Sequence, residues 1–360
     1  MDMSDTDMSD SIGQLMMVGI PHPSLDTETR DTLHELKPGG VILFARNYTD
    51  PETLQALCAD LRSLQPDNPV FIALDHEGGR VHRLALPFTH FPPALRLGET
   101  GSSQLAYEVG CALGHELRSV GIDINFTPVL DVFTNPQNTV IGDRAFGSDP
   151  QRVAQLGCAL ARGLRQANII PCGKHFPGHG ATLVDSHEDL PRDEREKNHI
   201  EKVDLVPFQA ALAEQMELIM TAHVVYPAYD PEQPASLSSL VMHNLLRQDL
   251  GFQGVIVSDD LEMGAIIRHS SVGDAAAQAL GAGADLVLIC QSLERACSAR
   301  EACQRALRIG ALSPARLQRS RQRLLRLKQR FAARSEVEIR PIGAPEHQAL
   351  AKEILRQASD

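Results

Sequence analysis

Eight short apolar runs recur along the chain and alternate with longer amphipathic stretches. The runs are mostly rich in β-branched residues and show little polar alternation, which is typical of strands buried on both faces. They span residues 15–20, 40–44, 70–74, 122–129, 169–172, 218–222, 254–257 and 285–289. Repeated strand–helix units of this kind predict an α/β protein with a parallel sheet, and eight of them favour a closed (β/α)8 barrel.

The intervening stretches have the caps and composition of helices. Asp50 and Asp149 are candidate N-caps, and each is followed by a proline at the first helical position. Helices are predicted over residues 50–64, 103–119, 149–165, 194–215, 238–249 and 272–282, with a break or kink at Pro207. An open doubly wound sheet is the alternative, but the sequence lacks the glycine-rich phosphate loop that normally follows an early strand of that fold.

The chain of 360 residues is long enough for one such barrel and a short extension. We expect residues 1–10 to form a flexible N-terminus and residues 11–312 to form a single TIM-like catalytic barrel. Residues 313–360 contain two helix-like stretches, 314–333 and 345–359. Because these residues are too few for a second domain, we expect a helical C-terminal tail that packs on the barrel.

Charge and cysteine content restrict the partners and the cellular setting. The formal net charge of −12 argues against a nucleic-acid surface or an anionic membrane as the main partner. The opening residues MDMSDTDMSD lack the basic and apolar regions of a signal peptide, and no apolar run approaches membrane-spanning length. Seven cysteines without a CxxC pair indicate buried thiols in a reducing compartment. We expect a cytoplasmic monomer with no cofactor and no metal.

The segment 174–191, KHFPGHGATLVDSHEDLP, follows the fifth predicted strand and is unusually rich in titratable side chains. It contains one lysine, three histidines, two aspartates and one glutamate. Pro177 and the two glycines around His179 argue against a helix, so the segment is predicted to be a long polar loop. Loops on a rigid scaffold commonly carry catalytic groups.

Other charged residues follow other predicted strands. In a (β/α)8 barrel the carboxyl ends of all strands meet at one face, and catalytic groups gather there. The candidates are Asp75 and Arg83 after the third strand, Arg144 after the fourth, Lys174 and His175 after the fifth, and Asp259 and Asp260 after the seventh. Since carboxylates beside apolar runs are costly to bury without partners, we expect these acidic and basic side chains to pair in one site.

These residue types support nucleophilic and acid/base chemistry on a polar substrate. A carboxylate fixed at a strand end can act as a nucleophile, and the residues leave Asp259 and Asp260 open, with Asp259 preferred. Asp185 can reach the imidazole of His187 in an extended segment, orient it and keep it titrating near neutral pH, so His187 is the predicted general acid and base. Ligand binding is predicted for Asp75, Arg83, Arg144, Lys174 and His175.

At these residues the sequence resembles a known family. The segment KHFPGHGATLVDSHEDLP is similar to the loop of bacterial glycoside hydrolase family 3 β-N-acetylglucosaminidases of the NagZ type. Further blocks resemble that family in the same order, namely GGVILFARNY, ALDHEGGRVHRL, NFTPVLDV, GDRAFGSDP, IMTAHVVYP and GVIVSDDLEM. The resemblance covers roughly residues 10–330. It implies a barrel that hydrolyses glycosides by a retaining double displacement.

The resemblance also implies roles for single residues. The family's nucleophile falls on Asp259, and its acid/base pair falls on Asp185 and His187. Its sugar-binding residues fall on Asp75, Arg83, Arg144, Lys174 and His175. Two positions depart from the family's frequent pattern, with Ala181 in place of an aspartate and His76 in place of a glutamine, and neither has a mapped catalytic role.

The implied substrate is a small carbohydrate from which the enzyme removes terminal non-reducing GlcNAc, namely a GlcNAc-1,6-anhydroMurNAc muropeptide of peptidoglycan recycling. Alternatives are a family 3 β-glucosidase or β-xylosidase, a sugar-binding barrel without activity, and a phosphorylase, because a neutral histidine would not repel phosphate. A metal-dependent hydrolase would use His175, His179, Asp185 and His187. Pro177 disfavours the helix that an HxxxH pair requires.

Overall fold

The computed structural model describes residues 11–183, 186, 189–332 and 341–358. The barrel strands are β1 (Met16–Gly19), β2 (Gly40–Leu43), β3 (Phe71–Leu74), β4 (Ile124–Asn125), β5 (Ile170–Phe176), β6 (Leu218–Thr221), β9 (Val255–Asp260) and β10 (Leu286–Ile289). They pair in parallel, and β10 closes the barrel against β1. All their residues are buried except the last two of β9, which explains the lack of polar alternation. The predicted (β/α)8 barrel is confirmed.

Two strands extend further than their apolar runs predict. β5 continues through Lys174 to Phe176, and β9 continues through Asp259 to Asp260. Strand β4 is shorter than predicted. The N–H of Thr127 bonds back to the carbonyl of Asn125 at 2.8 Å, and Val129 forms only an isolated bridge with Lys174. Charged side chains are therefore part of the barrel strands and do not merely follow them.

Helices surround the barrel in the expected alternation. They are α1 (Thr27–Leu36), α2 (Pro51–Ser63), α3 (Ala94–Thr100), α4 (Ser103–Ser119), α5 (Pro150–Gln166), α6 (Lys197–Lys202), α7 (Leu205–Ala213), a π-helix (Leu240–Asp249), α8 (Gly264–Ile267), α9 (Val272–Ala282) and α10 (Leu293–Arg308). Short 3-10 turns cover Ile12–Leu15, Ala45–Asn47, Gly142–Arg144 and Ala235–Leu237. Helices α1, α3, α8 and α10 are not predicted from the sequence.

The helix caps behave as predicted. Asp50 accepts a 2.8 Å hydrogen bond from the N–H of Thr53, and Asp149 accepts one of 3.0 Å from the N–H of Gln151. The predicted helix 194–215 is divided into α6 and α7. Pro207 lies in the first turn of α7, where a missing N–H leaves no hydrogen bond unmade.

A small antiparallel pair of strands interrupts the repeat between β6 and β9. These are β7 (Val225–Tyr226) and β8 (Asp230–Pro234), and neither is predicted from the sequence. β7 also bridges in parallel with Arg192, at the end of the polar loop after β5. The insertion therefore lies against the segment that carries the predicted acid/base pair.

Two further helices, α11 (Pro314–Ala332) and α12 (Pro345–Gln357), follow the barrel and pack on it. The side chains of Arg316 and Ser320 in α11 bond to Asp285 at the start of β10. In α12, His347 Nδ1 lies 2.7 Å from Glu116 Oε1 of α4. The division of the chain at residue 312 stays a prediction. Across the described residues, no helix is long and apolar enough to cross a membrane.

Candidate active site

A cavity of about 310 Å3 lies at the carboxyl ends of the barrel strands. Its wall includes every predicted site residue that the structure describes, namely Asp75, Arg83, Arg144, Lys174, His175 and Asp259. The predicted acid/base residues Asp185 and His187 lie outside the described residues. A larger cavity of about 630 Å3 lies between α7 and α11 near the amino ends of β6 and β9, and contains none of the predicted residues. Catalytic groups in this fold belong to the carboxyl ends, so the smaller cavity is the candidate active site.

Lys174 and Arg144 join two carboxylates into a buried charge network. Lys174 is only 2% exposed, and its Nζ lies 2.6 Å from Asp75 Oδ1 and 2.7 Å from Glu77 Oε1. Arg144 contacts Glu77 with both ends of its fork, at 2.8 Å from Nη2 to Oε1 and 2.9 Å from Nε to Oε2. Two cations and two carboxylates balance one another, as buried charges require. The network fixes the polar groups of this wall.

Glu77, which the sequence suggests only as a structural support of the glycine turn after it, is also a residue of the site. Burial acts to raise the pKa of its carboxyl, but the charges of Arg144 and Lys174 outweigh burial and hold the pKa well below its usual range. For Lys174 burial acts to lower the pKa, and the charges of Asp75 and Glu77 raise it instead. A signal was present in the sequence, since Glu77 stands two residues after Asp75 and residues two apart in an extended segment face the same side.

Asp259 and Asp260 form the end of β9, and both reach the cavity wall. Burial acts to raise the pKa of Asp259, but the charges of His223 and His175 outweigh it and lower the pKa to about 2. Burial raises the pKa of Asp260 to about 7, although this carboxyl accepts N–H bonds from Glu262 and Cys290 at 3.0 and 3.2 Å. At neutral pH Asp259 is thus fully ionised whereas Asp260 is only partly ionised, which favours Asp259 as the nucleophile.

His175 is held by Asp131, a residue for which no role is predicted from the sequence. Asp131 Oδ2 lies 2.7 Å from His175 Nδ1, while Oδ1 accepts the N–H groups of His175 and His179 at 3.2 and 2.7 Å. Burial acts to raise the pKa of Asp131, and its bond and charge contact with His175 lower it. Because Nδ1 is committed to Asp131, Nε2 is the ring nitrogen of His175 that can bind a ligand.

His179 is also in the cavity wall, and its ring nitrogens are both bonded. Nδ1 lies 2.8 Å from Thr182 Oγ1, and Nε2 lies 3.1 Å from Ser186 Oγ. Burial, followed by repulsion from His175, lowers the pKa of His179 to about 4, so the ring is neutral at pH 7. Considering only the described part of the chain, no group of three or more His, Cys, Asp or Glu side chains is placed to hold a metal ion.

His223 is bonded to the carboxyl end of strand β9. Its Nδ1 lies 2.6 Å from Ser236 Oγ, and its Nε2 lies 2.8 Å from the carbonyl oxygen of Asp260. The side chain is fully buried and hydrogen-bonded at both nitrogens, so it acts as a support of β9. Met263, just after the strand, lines the cavity.

Arg83 is a third basic side chain in the cavity wall, beside Lys174 and Arg144. Its guanidinium carbon lies 5.8 Å from the centre of the Phe44 ring, and its main-chain N–H donates to His76 Nδ1 at 3.2 Å. Its buried Nε has no hydrogen-bond partner within the residues that the structure describes. His76, one of the departures from the family pattern, therefore helps to place a predicted sugar-binding residue.

The sequence that forms this barrel and its cavity matches a known protein family. Residues 7–327 match the glycosyl hydrolase family 3 N-terminal domain. The chain belongs to glycosyl hydrolase family 3. It is therefore a glycoside hydrolase, and the resemblance seen in its sequence blocks is confirmed.

Relatives within family 3 include β-hexosaminidases and solved β-N-acetylglucosaminidases. The chain is 45% identical to a β-hexosaminidase of Nitrosomonas eutropha over 287 residues, which is 78% of this chain and 82% of that protein. A family 3 β-N-acetylglucosaminidase from Paenibacillus sp. superposes with a TM-score of 0.94 at 39% identity, covering 97% of this chain and 68% of that one. Native NagZ from Neisseria gonorrhoeae superposes with a TM-score of 0.80 at 34% identity, covering 96% of this chain and 98% of that one.

Proposed function

We propose that this glycoside hydrolase is a retaining exo-β-N-acetylglucosaminidase with Asp259 as its nucleophile. The observation that carries the proposal is an ionised carboxylate at the end of β9, in the wall of a small cavity shared with the Lys174 charge network. The volume of about 310 Å3 is at the lower end of ligand-site volumes, about 300–1,000 Å3, and suits a single terminal sugar. The name of the Paenibacillus relative, a family 3 β-N-acetylglucosaminidase, supports the N-acetylglucosaminide specificity.

The reaction would proceed in two displacements. The Asp259 carboxylate attacks the anomeric carbon while protonated His187, oriented by Asp185, gives its proton to the glycosidic oxygen, which leaves with the aglycone. Neutral His187 then takes a proton from water, the water oxygen attacks the anomeric carbon, and the bond to Asp259 breaks. Two inversions give overall retention. The roles of Asp185 and His187 rest on the sequence alone.

The remaining predicted residues would hold the sugar. Asp75 and Lys174 present a carboxylate and an ammonium group held 2.6 Å apart, a pair that can accept from and donate to neighbouring hydroxyls. His175 offers Nε2, and Arg144 is placed by Glu77. Arg83, whose side chain lines the cavity, would bind an amide or carboxylate oxygen of the substrate with its guanidinium.

We further propose GlcNAc-1,6-anhydroMurNAc muropeptides as the natural substrates and peptidoglycan recycling as the role. The resemblance in sequence supports this, and a guanidinium in the cavity wall suits an anionic substrate despite the net charge of −12. A cytoplasmic location fits seven cysteines that form no disulfide bond. A monomer remains our expectation for the oligomeric state.

The decisive experiment is hydrolysis of matched aryl β-glycosides, the N-acetylglucosaminide, glucoside, xyloside and galactoside, in phosphate-free buffer. We expect strong preference for the N-acetylglucosaminide and loss of that activity in Asp259→Ala. Preference for the glucoside or xyloside would overturn the assigned sugar but keep the barrel and nucleophile. Muropeptides with and without the 1,6-anhydro end then test the natural substrate, and no preference between them would count against the recycling role.

Two further arms test the chemistry of the same reaction. A slow fluorinated glycoside should leave a sugar covalently bound to the peptide that contains Asp259, and a label on any other residue would reject this nucleophile. Products formed with added phosphate separate hydrolysis from phosphorolysis, since hydrolysis yields free GlcNAc and phosphorolysis yields the 1-phosphate. Activity abolished by a chelator and restored by metal would favour the metal-dependent alternative.

A further inference from the structure

Ser186 stands in sequence between Asp185 and His187, and its hydroxyl and its carbonyl oxygen are both bonded. Its Oγ lies 3.1 Å from His179 Nε2, and its carbonyl oxygen accepts the N–H of Ala265 at 3.1 Å. The residue is 2% exposed and forms part of the cavity wall. A serine in a polar loop would ordinarily bond to water, so its burial with two protein partners indicates a fixed position.

His179 is a rigid partner for this serine. Its N–H donates to Asp131 at 2.7 Å, and its carbonyl oxygen accepts a bond of 2.7 Å from Asn138 Nδ2. Its second ring nitrogen is 2.8 Å from Thr182 Oγ1. With the main chain and both ring nitrogens bonded, the imidazole has one orientation in which to meet Ser186.

The other partner of Ser186 belongs to the nucleophile's side of the barrel. Ala265 lies in α8, which begins at Gly264, four residues after β9 ends at Asp260. A contact of 3.5 Å between His269 Nε2 and Asp189 Oδ1 runs between the same two segments. Ser186 therefore bridges the β5 side of the cavity, through His179, and the β9 side, through Ala265.

We infer that the His179–Ser186–Ala265 bridge positions the acid/base pair for reaction at Asp259, which makes Ser186 and His179 positioning residues. This inference rests on the proposed function. Ser186 is joined by a peptide bond to each member of the proposed pair, and consecutive Cα atoms are about 3.8 Å apart, so an anchor at Ser186 acts one residue away from both proposed catalytic groups. Misplacement of a catalytic group by about 1 Å can cost about 100-fold in rate. The two bonds of Ser186 would keep such errors small.

The test compares two substrates that differ in their need for a general acid. Ser186→Ala removes the hydroxyl and leaves the main-chain bond to Ala265. We expect kcat/KM to fall about 10-fold to 100-fold on a GlcNAc disaccharide, whose leaving group needs a proton. On the dinitrophenyl N-acetylglucosaminide, whose leaving group needs none, we expect a fall of less than about 3-fold. The basic limb of the pH profile on the disaccharide should also move.

The same design contains its controls. Ser63→Ala serves as the matched change, because Ser63 is exposed on α2 and its hydroxyl bonds to the carbonyl of Asp60 at 2.7 Å; it should leave both rates unchanged. His179→Gln keeps a polar group near the position of Nε2, so it should lose less on the disaccharide than His179→Leu. This pair of variants also decides the matter if Ser186→Ala does not fold.

The outcomes separate the two proposals. Suppose that His187→Ala loses more rate on the disaccharide than on the dinitrophenyl glycoside, but that Ser186→Ala lowers the two rates equally or changes neither. The positioning role is then wrong, while the proposed function stands. If His187→Ala itself shows no leaving-group dependence, the proposed acid/base role fails first. Thermal midpoints for all variants verify that the rates compare folded proteins.

Discussion

At the scale of the residue, Asp259 and Asp260 are sequence neighbours with different pKa values and different hydrogen bonds. Asp259 is ionised beside His175, whereas Asp260 gives an oxygen to the N–H groups of Glu262 and Cys290. We expect Asp259→Asn to reduce kcat by about 10⁴-fold or more, because an amide cannot form the glycosyl ester. Asp260→Asn keeps a carbonyl oxygen for both N–H groups, so its loss should be about 10-fold or less. Steady-state kinetics on one aryl N-acetylglucosaminide measure both, and a larger loss in Asp260→Asn would reverse the assignment.

The same pair predicts a pH effect on stability. The pKa of Asp260 is raised to about 7 in the fold, above its unfolded value of about 3.9. The folded state therefore binds more protons between these values, and this residue makes the fold less stable as the pH rises from about 4 to about 7. We expect Asp260→Asn to raise the unfolding midpoint more at pH 8 than at pH 5. Calorimetry at the two pH values measures the difference, and a larger gain at pH 5 would contradict it.

At the scale of the element, strand β7 is hydrogen-bonded to both ends of the polar loop that follows β5. Tyr226 donates from its hydroxyl to the carbonyl of Gly178 at 2.6 Å, while the N–H of Val225 donates to the carbonyl of Pro191 at 3.0 Å. Tyr226→Phe would leave the Gly178 carbonyl without this bond in a buried place, at a cost of about 1–3 kcal/mol in the free energy of unfolding. Urea unfolding measures this cost.

Tyr229 provides the matched control for that substitution, because its buried hydroxyl has no hydrogen-bond partner in the described residues. Tyr229→Phe should be neutral or slightly stabilising, since it removes an unsatisfied polar atom. Equal losses in the two variants would mean that the Gly178 bond adds nothing to stability.

These elements also show how far the sequence leads. The apolar runs predict all eight strands, because burial on both faces removes polar alternation. They end β5 and β9 too early, because Lys174 and Asp259 resemble loop residues until their distant partners are known. Strands β7 and β8 are not predicted because they are short and lack an apolar run. Their antiparallel pairing also has a register shift that the sequence does not indicate. The site contacts of Glu77 and Asp131 are missed for the same reason, because each pairs with a residue of β5 that is distant in sequence.

At the scale of the whole molecule, the C-terminal helix α12 is joined to the barrel through one buried carboxylate. Glu116 in α4 accepts bonds from the N–H and hydroxyl of Thr89 at 2.8 and 2.6 Å and from the N–H of Gly343 at 3.1 Å, and it pairs with His347 at 2.7 Å. Burial acts to raise its pKa, but the bond to His347 and the bonds from Thr89 outweigh burial and lower it. The tail and the barrel should therefore unfold together.

Glu116→Gln tests this coupling of tail and barrel. The amide keeps one acceptor but loses the charge, so we expect a loss of about 1–3 kcal/mol in the free energy of unfolding at pH 7. Because the folded pKa of Glu116 is lowered, its contribution is present above the unfolded pKa, about 4.3, and is lost as the pH falls through the folded value. The variant and the parent should thus converge in stability at acid pH.

Glu108→Gln is the control for this substitution. It lies on the same helix with its carboxylate bonded to Gln104, and it should change the stability little at either pH. An undiminished gap at acid pH, or a separate early unfolding step in the parent, would show that α12 is not tied to the barrel through this charge.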